Sequence, residues 1–109
     1  MSVKQNEIDV YQSARFSKSC RKLSEKHLKI VEDEIDRIID NPLIGELKKG
    51  DLAYLRVHKF KLNELLVLLG YSWISSKLEL YLLCIGSHEN FYEKQKKYSK
   101  TDSKLINPK

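Results

Sequence analysis

The 109-residue chain has few of the residues that small folds use in place of a large core: two cysteines, two prolines, four glycines and one tryptophan. Two cysteines cannot build a disulfide scaffold. Cys20 and Cys84 stand far apart, with no CxxC pair and no histidine at zinc-site spacing. Both are expected as buried free thiols in a reducing cytoplasm. With 41% hydrophobic and 32% charged residues and so little glycine and proline, wholesale disorder is excluded. The longest apolar run, LLVLLG from Leu65, is far short of the roughly 20 residues a membrane helix needs. The opening MSVKQNEIDV has no apolar segment of the signal-peptide kind. A cytoplasmic protein without membrane contact is the expectation. Also missing are a Gly-rich phosphate loop, a GxSxG elbow, an HExxH pair and an acidic cluster for a metal. No cofactor or metal is expected.

What is present is an uneven distribution of charge. The formal net charge is +5, and residues 1–45 and 64–85 contribute none of the excess. Residues 46–63 hold Lys48, Lys49, Arg56, Lys59 and Lys61 against Glu46 and Asp51, and residues 86–109 hold six lysines against three acids. If the fold joins these two blocks, they form a basic face suited to phosphate or to an acidic protein. The plain alternative is a solvated lysine-rich surface.

Local patterns give the order of elements. EIDVYQS alternates Ile8 and Val10 with Asp9 and Tyr11, the period of a half-buried strand. Phe16, Cys20 and Leu23 are spaced for one buried stripe of a short helix. A second helix starts at the N-cap Ser24, buries Leu28, Val31, Ile35 and Ile38, and stops at Asn41-Pro42. LIGELKKGDL, with Gly45 and Gly50, reads as a loop.

Three strands should follow. In the first, Leu55 and Val57 face one way and Tyr54, Arg56 and His58 the other. The second, NELLVLLGYSW, is apolar at consecutive positions, as in a central strand. The third, LELYLLCIG, ends at Gly86. Ser87 is the expected cap of a last helix running to about Ser99, with 100–109 a frayed basic tail. The sum is one α+β domain over residues 1–99. An N-terminal helical hairpin and a C-terminal helix cover one face of a small, mostly antiparallel four-stranded sheet.

On that order His58 and His88 are expected to share a site. Lys48 and Lys49 come from the loop, Arg56, Lys59 and Lys61 from the strand, and Tyr92 and Lys94 follow His88. Two histidines, cations and a tyrosine suit metal-independent cleavage of RNA. One group takes the 2′-hydroxyl proton, another protonates the 5′-oxygen, and fixed charge stabilises the pentavalent phosphate. Histidine, with an ordinary pKa near 6.5, can fill either proton-transfer role. Each residue also has a structural reading: surface for His58, helix terminus for His88, packing for Tyr92 and a solvated face for Lys94.

The element order, NPLIGELKKGDL, LRVHKFK, LLVLLGY and above all IGSHENFYEKQKKY resemble the RelE/ParE superfamily of type II toxin-antitoxin toxins, over about residues 7–99. The resemblance implies a growth-arresting toxin silenced by a cognate acidic antitoxin, with the pair assembling on operator DNA. It further implies either ribosome-dependent messenger RNA cleavage or, as in ParE, inhibition of DNA gyrase. His58, His88 and Tyr92 match the histidine-bearing branch, and Arg56 falls where cationic members carry a strand lysine or arginine. The expected catalytic set is then His88, His58, Arg56 and Tyr92, and the expected RNA-binding set Lys48, Lys49, Lys59, Lys61 and Lys94. RelE has an arginine at the start of the next strand; this chain has Asn63 and Glu64 there.

Overall fold

The computed structural model describes residues 7–107. Residues 1–6 of the expected domain and 108–109 of the expected tail lie outside the described residues. The chain runs through β1 (Asp9–Gln12), α1 (Ala14–Arg21), α2 (Glu25–Asp40), β2 (Glu46–Leu47), a 3-10 turn (Gly50–Leu52) and β3 (Arg56–Leu62). It continues through β4 (Leu65–Ile74), β5 (Glu79–Ser87), α3 (Phe91–Lys97) and α4 (Ser99–Ile106). The five strands form one sheet in the order β1-β5-β4-β3-β2, with only the β1–β5 pairing parallel. No helix among the described residues is long and apolar enough to cross a membrane.

Local chemistry sets the helical hairpin. Ser13 accepts from the Phe16 N–H at 3.0 Å and donates to the Leu83 carbonyl at 2.6 Å, so one side chain both caps α1 and ties it to β5. Ser24 caps α2 by accepting from the His27 N–H at 3.2 Å. The helix stops before Pro42 as expected, because the residue ahead of proline is driven out of the helical region.

The central strand β4 separates two cores. On one side Val67, Leu69 and Tyr71 meet Phe60, Leu62, Leu80 and Leu82 and the hairpin residues Phe16, Val31 and Ile38. On the other, Leu68 meets Leu52, Leu55, Val57, Tyr81, Leu83 and Phe91. Helices therefore cover both faces, where the sequence pattern suggested one. The sheet also has five strands in place of four, because Glu46–Leu47, within the expected loop, pairs with Val57 and Arg56. Two residues are too few to show a period.

Three further expectations change. All four residues of β1 are exposed, because it is an edge strand that borders the hairpin core only across a cavity lined by Val10, Gln12, Phe16 and Val31. Ser87 belongs to β5, and α3 begins only after Asn90, whose left-handed φ of 62° asparagine tolerates well. The expected frayed tail is the helix α4, with Leu105 and Ile106 against the second core.

What anchors α4 is charge. Asp102 is fully buried and receives both Arg15 nitrogens, at 2.9 and 2.8 Å. Gln95 accepts from Arg15 at 2.9 Å and donates to the Tyr54 hydroxyl at 2.8 Å and to Asp102. The Arg15 guanidinium also lies 4.1 Å from the centre of the Tyr98 ring. Burial pushes the Tyr54 phenol up to about 12, which keeps it neutral at physiological pH. Asp102 is enclosed and Arg15 only half-buried, and breaking such a bidentate pair from the carboxylate side is costly because it leaves the guanidinium without its partner. Asp102→Ala should lower the free energy of unfolding by about 3 kcal/mol in urea titrations. A loss under about 1 kcal/mol would mean that apolar contacts alone hold α4.

Candidate functional site

Strand alternation sorts the candidate residues. Arg56, His58, Phe60 and Leu62 project to the hairpin side, opposite Tyr71, Leu69, Val67 and Leu65 of β4. Val57, Lys59 and Lys61 project to the other side, opposite Gly70, Leu68 and Leu66.

His58 is consequently not an open catalyst. It is 7% exposed, its Nε2 lies 2.7 Å from Glu34 Oε1 on α2, and its ring stacks on Phe60 at 5.7 Å. Arg37 reaches the same carboxylate at 3.5 Å. Arg56 is likewise engaged, donating to the Gly45 carbonyl at 2.9 Å. The expected joint site of His58, Arg56 and His88 is therefore divided. The alternation of Arg56, Val57 and His58 was read correctly from the sequence, but Tyr54, before the strand begins, packs with the second core beside Leu55 and not with Arg56 and His58. What the alternation could not show is that α2 closes over the His58 face.

The other face stays open beyond the second core. Lys59 and Lys61 are exposed there, and across β4 an added side chain at Gly86 would meet nothing within 4 Å. The border is made by Lys48, Tyr92 and His88. Lys48 Nζ lies 5.2 Å from the Tyr92 ring centroid, and exposed His88 meets the same ring edge-on at 6.3 Å. Tyr92 is held from below by Phe91, at 5.2 Å in a T-shaped pair whose partner is buried. Glu46, 3.0 Å from Lys48 Nζ, raises the lysine's pKa, with the Tyr92 hydroxyl adding to the effect. The lysine in turn lowers Glu46. Leu66, 37% exposed, gives the patch an apolar floor.

Of the RNA-binding set, Lys48, Lys59 and Lys61 belong to this face. Lys49 is exposed at the start of the 3-10 turn. Lys94, on α3, lines a cavity of about 250 Å³ with Arg15, Cys84, Gly86, Ser87 and Tyr98, so it borders this face through Gly86. Burial pushes the Cys84 thiol up to about 12, and both cysteines are free and half-buried, so neither is a poised nucleophile. Asn63 and Glu64 form the two-residue turn between β3 and β4, where Asn63 has φ 59° and its amide lies 2.9 Å from His27 Nε2. The turn brings no cation. Sequence reasoning missed Glu46 and Gly86. The signal for Glu46 was its place two residues before Lys48, which in extended chain sets both on one side.

The arrangement offers an accessible imidazole, a phenol and several ammonium groups on one side of the sheet, able to move a proton and to hold a phosphate. Among the described residues no three His, Cys, Asp or Glu side chains converge as metal donors. The family model for the ParE-like toxin of type II bacterial toxin-antitoxin systems matches residues 10–96. The chain belongs to that toxin family.

No curated protein matches the toxin. Solved structures do, at fold level. A free E. coli RelE variant with two arginines replaced by alanine superposes with a TM-score of 0.66 at 18% identity, covering 86% of this chain and 97% of its own. The toxin in the intact E. coli RelBE complex gives 0.61 at 21% identity, over 75% and 98% of the two chains. A RelBE complex from Mycobacterium tuberculosis gives 0.63 at 17%, over 75% and 99%.

Because His58 serves α2 packing, His58→Gln should lower stability by about 1–2 kcal/mol while growth arrest per folded molecule is retained. Measured at matched soluble toxin levels, arrest abolished by His58→Gln would return His58 to the chemistry.

Proposed function

We propose that this toxin arrests growth by cleaving ribosome-bound messenger RNA without a metal, on the open face bearing Lys48, Lys59, Lys61, His88 and Tyr92. The observation that carries this reading is the convergence of His88 and Lys48 on the Tyr92 ring, beside two exposed strand lysines. In the reaction His88 takes the proton of the 2′-hydroxyl, whose oxygen attacks phosphorus. The bond to the 5′-oxygen breaks, leaving a 2′,3′-cyclic phosphate, and the 5′-oxygen takes its proton from the Tyr92 hydroxyl, so that Lys48 keeps its charge. Lys48 and Lys59 neutralise the charge that accumulates on the phosphate, the larger share of such catalysis. Tyr92 presents a face on which a base stacks, and Lys61 follows the backbone.

A cognate antitoxin belongs to the same proposal. Two of the solved relatives are toxin-antitoxin complexes, of E. coli and of M. tuberculosis. A basic, partly apolar face suits an acidic segment that folds on contact. Such a pair would assemble on operator DNA.

The test is induction of the toxin without its antitoxin, with pulse labelling and primer extension on an abundant message. Cuts within translated codons should appear within minutes, and His88→Ala should reduce them at least 100-fold, the usual worth of a proton-transfer group. Intact messages with DNA synthesis falling first would replace this reading by gyrase inhibition.

A further inference from the structure

The position of Lys48 depends on a residue with no place in the site. Tyr71 is fully buried in the first core, on the opposite side of the sheet. Its hydroxyl donates to the Pro42 carbonyl at 2.8 Å and accepts from the Gly45 N–H at 2.8 Å. From the other side of the same residue, Arg56 donates to the Gly45 carbonyl at 2.9 Å. Both backbone groups of Gly45 are thus held by side chains of paired residues, since Arg56 and Tyr71 are direct partners across β3 and β4. The approach is close enough to require glycine, because a Cβ at position 45 would sit 2.8 Å from the Tyr71 ring and hydroxyl.

Three residues later the chain reaches Lys48. In between, Glu46 and Leu47 pair with Val57 and Arg56, and the Lys48 N–H donates to the Leu55 carbonyl at 2.9 Å. A two-residue strand at the sheet edge has little hold of its own. Its register is fixed upstream by the Gly45 clamp and downstream by the Lys48 amide. Exposed Glu46 then steers the ammonium to the Tyr92 ring.

We infer that Tyr71, with Arg56, is a positioning residue for the site: its hydroxyl clamps Gly45 and thereby holds the edge strand that presents Lys48 to Tyr92. Arg56 acts there through backbone, and the phosphate is left to Lys48 and Lys59. The ring stays in the core in either case, so Tyr71→Phe removes the hydroxyl's hold on Gly45 and Pro42 and leaves the Arg56 bond to the Gly45 carbonyl. Burial pushes the Tyr71 phenol pKa up, which favours the neutral hydroxyl that donates to the Pro42 carbonyl.

The inference rests on the reading that Lys48 serves the toxic activity, and its test separates the two. Amide exchange is measured first in the wild type and in Tyr71→Phe. The Lys48 amide should exchange at least tenfold faster in the variant, while the amides of Leu68 and Leu69 in β4 keep their protection. Growth arrest is then compared for Tyr71→Phe, Lys48→Met and the pair at matched folded levels. Each single change should weaken arrest at least fivefold, and the double should be no weaker than Lys48→Met alone. Unchanged Lys48 exchange, or losses that multiply in the double variant, would overturn the clamp. If exchange rises as expected but Lys48→Met arrests growth fully, the clamp stands as structure, its functional role is refuted, and the assignment of Lys48 to the site falls.

Discussion

The pleat of β3 is the constraint on which the rest depends. A strand buried between two cores must give each face its own residues, and successive side chains have no choice of side. Arg56, His58, Phe60 and Leu62 go to the hairpin, and Val57, Lys59 and Lys61 go to the other face. A slip of one register would bury two lysines beneath α2 and expose Phe60 and Leu62, which the folding energy cannot tolerate. The same constraint decides the chemistry: the histidine on the covered face becomes a packing and ion-pairing group, and the lysines on the open face become available to a ligand.

The open face is completed by parts that lie far apart in sequence. Lys48 arrives on an edge strand held by Tyr71 and Arg56, while His88 and Tyr92 arrive at the start of α3. The segments 46–63 and 86–109 thus meet through Lys48, Tyr92 and His88. Behind α3, the Arg15–Asp102–Gln95–Tyr54 network fixes both terminal helices to each other and to the sheet. Its carboxylate is enclosed and its guanidinium half-buried, so it is screened less than a surface ion pair.

How much of this was legible depended on whether the decisive signal was local. Ser24, the apolar spacing of α2 and the stop at Asn41-Pro42 are short-range chemistry, and the consecutive apolar run of β4 marks a central strand directly. The superfamily, too, was legible in the IGSHENFYEKQKKY stretch. What escaped was non-local. Glu34, 24 positions from His58 in sequence, converts that residue from candidate catalyst to buried partner. The helix α4 gives no hydrophobic period because its one buried residue is Asp102, whose reason for burial is an arginine 87 positions earlier. β2 is too short to announce itself, and β1 alternates like a half-buried strand although all four of its residues are exposed.

On the proposed function, the target RNA lies on the Lys59–Lys61 face and not over His58. The most direct measurement is an NMR titration of isotope-labelled toxin with a short single-stranded RNA carrying 2′-deoxy substitutions, so that it binds without being cleaved. The account predicts shift changes concentrated at Lys48, Lys59, Lys61, Gly86, His88 and Tyr92, weakening steeply with salt as phosphate contacts do. Changes centred instead on His58, Glu34 and the α2 surface, or none at any RNA concentration, would contradict it.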